Sequence, residues 1–225
     1  MKPINVRRLY TVVLIGIVLY LILDVVAQLL PPHYNWISQA ESDLAVGPFG
    51  YIMTINFFNR GLLSLAFLFA FMGTIRLTGE KLAQYRGGFF LFGAWSIGAF
   101  LLAIFPTDVP STPISWHGTI HLVVAVLAFL TGAFGALVLS LKMNGNQTLR
   151  NLRRFAMPIS VLVVVFCLLE VLIPIVTPHL AAYFGGFFER LFLGTMLAWI
   201  ATISAYMIKH ESKSVAPTNL SASPQ

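Results

Sequence analysis

From residue 9 to residue 208 the chain is a succession of long apolar stretches, cut by short polar interruptions. A helix that crosses a bilayer needs roughly 20 mostly apolar residues. Six stretches meet that length: 9–30, 50–76, 88–105, 116–141, 155–174 and 186–208. They predict an all-α, polytopic membrane protein with six transmembrane helices in one bundle spanning residues 1–208. Residues 209–225 are predicted to be a disordered cytoplasmic tail, because SVAPTNLSASPQ lacks the apolar content to bury. The first stretch holds Asp24 and Gln28 and runs into Pro31-Pro32 with no small-residue cleavage pattern, so it reads as a retained span.

Composition agrees with this pattern. Charged residues make up 10% of the chain, against roughly 25% in a soluble domain. The net charge of +6 does not point to nucleic acid, since the basic residues sit in short loops between apolar runs rather than on one face of a soluble fold. Twelve of the fourteen lysines and arginines fall on one side of the predicted topology, which by the positive-inside tendency is the cytoplasmic side. Both termini are therefore expected in the cytoplasm. Cys167 is the one cysteine, which excludes an intrachain disulfide and a cysteine-based zinc site. No histidine pairing across the bilayer suggests heme.

In that orientation six of the eight acids and four of the five histidines gather toward the outer side. Asp24, Arg60, His121, Glu170 and Glu189 lie within spans, where an ionised group costs several kcal/mol unless it is paired or hydrated. Asp24, Glu170 and Glu189 are thus candidate partners of Arg60 in an ion pair, and Arg60 could alternatively hold an anionic headgroup through its bidentate fork. In WHGTIH, His117 and His121 are i and i+4 and share a helix face. With Asp108 folding back from FPTD they make a candidate site for a divalent metal such as zinc. The alternative is that Asp108 is a solvated loop acid and His117 an interfacial residue beside Trp116.

Before the second span, QAESDLAVGPFG places Glu41 and Asp43 at the outer mouth. They are candidate catalytic carboxylates, able to act as general base on a bound water. Ser42 is a candidate cap for a short helix there, with the two acids near its positive end. Gly132, Gly135, Gly185, Gly186 and Gly194 are expected to let helices approach closely.

SDL before the second span, NRG within it (Asn59, Arg60, Gly61), FPTD after the third, HGTIH opening the fourth and ER opening the sixth together resemble a family of prokaryotic six-helix membrane proteins described only as a domain of unknown function. The likeness reaches to about residue 208 and implies the cell inner membrane. A fainter similarity is to the membrane hydrolases that include alkaline ceramidases and adiponectin-receptor-like proteins. Those hold zinc through a serine, an aspartate and histidines, which here would be Ser42, Asp43, Asp108, His117 and His121. That similarity, and the co-location of these acids and histidines at one membrane face, lead to the expectation of metal-dependent hydrolysis of a lipid-like amide or ester. The chain differs in having six spans, not seven, and HxxxH on the fourth. A proton relay for transport through Asp24, Arg60, His121 and Glu170, or a non-catalytic subunit whose polar residues only fix helix packing, are the other readings.

Overall fold

The computed structural model describes residues 5–109 and 112–214. Six helices long and apolar enough to cross a membrane make up the fold: α1 (Val6–Leu29), α2 (Gly50–Leu77), α3 (Arg86–Ile104), α4 (Trp116–Lys142), α5 (Gln147–Val176) and α6 (Pro178–Ser214). Consecutive helices pack against one another and α1 closes on α6, so the bundle is a ring. The α1–α2, α3–α4 and α5–α6 connections lie together at one end of the bundle, the loop end.

Local chemistry sets the helix ends. Asn5, Ser115 and Asn146 cap α1, α4 and α5, each accepting the backbone N–H three residues on. α2 closes on Gly79, whose φ of +75° suits glycine; Gly79 N–H bonds Arg76 and Glu80 N–H bonds Ile75, as in a Schellman motif. Only Thr177 separates α5 from α6, and Pro178 at the first position of α6 lacks an N–H that would have no helical partner there.

The helices outrun the apolar stretches. α5 begins at Gln147 rather than 155, and α6 runs from Pro178 to Ser214 rather than 186 to 208. The added turns hold Arg150, Arg153 and Arg154 in α5 and Lys209 and His210 in α6. Polar residues end an apolar run without ending a helix. Thus residues 209–214, expected in a disordered tail, continue α6, while residues 215–225, Lys2 and Pro110 lie outside the described residues.

The core is an aromatic layer shared by α2, α3 and α6. Phe67 lies 5.3 Å between ring centroids from both Phe92 and Trp199. The two buried indoles place their polar ends on hydroxyls, Trp95 Nε1 donating to Ser64 at 3.2 Å and Trp199 Nε1 to Ser140 at 2.9 Å. A Cβ on Gly135 would stand 2.9 Å from the Phe92 backbone nitrogen, so α3 and α4 meet there at backbone distance. Gly132 and Gly186 are similarly crowded, whereas Gly194 faces open space and is no packing contact.

Candidate functional site

Acidic and histidine side chains concentrate at the loop end. Residues 31–49 fold over that end, and the 3-10 turn Glu41–Ala45 dips into the bundle between α1, α2 and α6. Ala40, not Ser42, is its cap residue, and no side chain caps it; the serine cap expected there does not form.

Arg190 ties the loop down. Its Nη1 donates to the Trp36, Gln39 and Gly186 carbonyls at 3.3, 3.4 and 3.3 Å, and its Nη2 to the Tyr34 hydroxyl at 2.8 Å. The same guanidinium lies 3.9 Å from Asp24, whose other oxygen accepts from Gln28 at 2.6 Å. Tyr34 in turn reaches the Gln39 and Ala40 carbonyls at 2.8 and 2.7 Å. Asp24 therefore pairs with Arg190, and the expected pairing with Arg60 does not occur. A β-carbon on Gly186 would collide with Gln39, so this glycine lets the loop lie flat on α6.

Glu41 is 2% exposed, accepts from the Tyr20 hydroxyl, and donates its own N–H to Glu189 at 2.6 Å. Burial, with the Asp24 and Glu189 carboxylates beside it, pushes Glu41 up to about 8. It is a buried latch between α1 and α6, not an acid at an open mouth. Burial also raises Asp43, which stands in a cavity wall.

The WHGTIH pair is split by the helix end. His117 is exposed and packs on Trp116 at 3.5 Å between ring centroids. His121, one turn deeper, is buried, and its Nδ1 bonds the Phe105 carbonyl at 2.7 Å. Asp108 does fold back, but onto Ser115: its carboxylate accepts the Ser115 N–H at 2.8 Å and hydroxyl at 2.6 Å, while that hydroxyl caps Gly118 at 3.1 Å. These hydrogen bonds hold Asp108 below the usual carboxylate range. A β-carbon on Gly118 would displace the Asp108 carboxylate from this position. Among the described residues no three His, Cys, Asp or Glu side chains converge as a metal-holding group, and Asp108, His117 and His121 are not brought together as one.

Elsewhere the loop end is hollow. A cavity of about 480 Å³ has His121, Leu122, Ala125 and Phe129 of α4 on one side and Glu170, Val171, Pro174 and Ile175 of α5 on the other. Arg60, Phe57, Leu102 and Glu189 close its back, and Ala40, Ser42, Asp43 and Thr107 its top. Leu122 and Ile175 are 61% and 73% exposed on the outer surface of the bundle, so the cavity opens sideways between α4 and α5. Phe129 lines its lower end and is backed by Trp95 and Phe192, at 6.1 and 4.7 Å between ring centroids.

Arg60 is the unusual group in this wall. It sits about 15 Å along α2 from Gly50 and is 2% exposed. Its guanidinium lies over Phe57 and Trp95, 5.1 and 5.0 Å from the ring centroids. Nε and Nη2 are buried without a hydrogen-bond partner, and among the described residues the ion pair within 4.0 Å is that of Arg190, not Arg60. Sequence patterning marked Arg60, His121, Glu170 and Glu189 as intramembrane polar groups, and the structure brings all four to one cavity. It missed Tyr20, Tyr34 and Arg190 as the fasteners of the loop.

No curated protein and no solved structure matches the chain. The similarity to alkaline ceramidases and adiponectin-receptor-like proteins is therefore without support. A family model does match over residues 14–206, from the third turn of α1 to near the end of α6, and covers every residue of the cavity. The chain, with its six helices long and apolar enough to cross a membrane, belongs to that family, the proteins of unknown function DUF998.

Proposed function

We propose that the cavity between α4 and α5 binds an amphipathic, lipid-like molecule that enters sideways from the membrane, with the loop end facing outward. The observation that supports this most is the combination of a lateral mouth with walls that carry polar groups. A solute taken from water would meet no need for an opening flanked by the lipid-exposed Leu122 and Ile175. A solute that was wholly apolar would gain nothing from Arg60, Glu170, Glu189 and His121. The volume of about 480 Å³ falls within the range of ligand sites and suits a head with the upper part of its chains. The aromatic floor favours binding over passage through the bundle.

A phospholipid with a photoreactive group high on one acyl chain tests this in reconstituted protein. Labelling is expected to concentrate on α4 and α5 around Leu122, Val126 and Ile175. Ala125→Trp, which fills the cavity, should reduce that labelling about tenfold while leaving the background on the lipid face of α1 unchanged. Labelling spread evenly around the bundle and indifferent to Ala125→Trp would overturn the reading. Mass analysis of the same samples shows whether an amide or ester bond of the bound lipid is cleaved.

A further inference from the structure

We infer that the ligand of this cavity has a zwitterionic head, a phosphate or similar anion held by Arg60 and an ammonium held by Glu170, as in a phosphoethanolamine lipid. The inference rests on the cavity as a lipid site and adds the chemistry of the head. Arg60 is a wall residue, 2% exposed, with two guanidinium nitrogens lacking an acceptor. An arginine kept in a membrane interior without a partner is costly, and two free donors on a planar fork match a phosphate or carboxylate. The rings of Phe57 and Trp95 at about 5 Å hold the guanidinium in place and accept no full charge themselves.

The opposite sign is present in the same wall. Glu170, half-buried on α5, has no hydrogen-bond donor among the described residues, and Glu189 has one oxygen committed to the Glu41 N–H. A simple anion would satisfy Arg60 but would press its charge on these two carboxyl groups. A simple cation would satisfy Glu170 and leave Arg60 unpaired. A zwitterion satisfies both and adds no net charge to a poorly hydrated space. His121 adds a further polar contact for such a head. Its Nδ1 is fixed on the Phe105 carbonyl, so the remaining ring nitrogen is the one left for the cavity.

Retention of lipids by the detergent-purified full chain, read by native mass spectrometry, tests this. Phosphatidylethanolamine, phosphatidylglycerol and diacylglycerol of matched chains are offered in turn. The ethanolamine lipid should be retained at least about tenfold better than diacylglycerol. Arg60→Gln should lower retention of both phospholipids by a similar factor, and Arg60→Lys should restore part of it. Glu170→Gln, at a half-exposed position that does not threaten folding, should lower the ethanolamine lipid alone and erase its advantage over phosphatidylglycerol. Competition by soluble phosphoethanolamine at equal concentration would assign the site to a free zwitterion, and competition by lipid alone to a headgroup. Equal retention of diacylglycerol, or folded Arg60→Gln and Glu170→Gln proteins that bind as wild type does, would overturn the inference and leave the cavity reading standing. Retention of none of the three lipids would overturn the cavity reading with it.

Discussion

Glu41 shows how strongly placement governs a single residue here. Asp24, Glu189, Tyr20 and Arg60 surround it, and burial dominates the rise of its affinity for a proton. The sign for stability follows directly. The folded form holds this proton up to about pH 8, whereas the unfolded chain releases it near the ordinary value of 4.5. Between those limits the folded state binds more protons, so stability falls as pH rises, by up to about 1.4 kcal/mol per pH unit for one proton. Thermal unfolding in detergent should therefore drop in midpoint from about pH 5 to about pH 8. Glu41→Gln should flatten that dependence; an unchanged slope would mean other groups cause it. Arg60 was legible in the sequence as a charge inside an apolar run, because the membrane makes such residues exceptional. Its surroundings were not legible, since which carboxylate approaches a guanidinium depends on helix rotation and on a loop 31–49 with no periodicity. Tyrosines gave no signal either: Tyr20 in an apolar run looks like filler until Glu41 is seen beneath its hydroxyl.

At the scale of the helices, the apolar runs located all six spans and erred at their ends. Hydropathy reports where lipid is, and a helix continues into the interface as long as its backbone bonds are satisfied, as the arginines of α5 show. WHGTIH illustrates the same boundary: one turn of helix separates an exposed imidazole on Trp116 from a buried one on Phe105. Glycine counting likewise could not tell a crowded site from an open one. A β-carbon on Gly135 would press on the α3 backbone, and one on Gly194 would meet nothing within 4 Å. Gly135→Val should destabilise the bundle by about 1–3 kcal/mol through overpacking. Gly194→Ala should change stability by less than about 0.5 kcal/mol. Chemical or thermal unfolding of the two purified variants checks the contrast, and a tolerated Gly135→Val would mean that α3 and α4 can separate freely.

For the whole molecule, the bias of basic residues predicts that the loop end faces outward. Single cysteines introduced at Thr112 and at Gln147 in a Cys167→Ser background sit at opposite ends of the bundle. A membrane-impermeant maleimide added to intact cells should label the first and spare the second, and the reverse pattern would invert the assigned topology. The cavity mouth between Leu122 and Ile175 has a consequence for how binding to this protein is to be measured. A site that fills from the plane of the membrane responds to the mole fraction of its ligand among the other lipids, not to its molarity in the tube. Doubling the lipid or detergent at a fixed amount of ligand should halve the dose the site experiences, and affinities are comparable between preparations only when expressed on that two-dimensional scale.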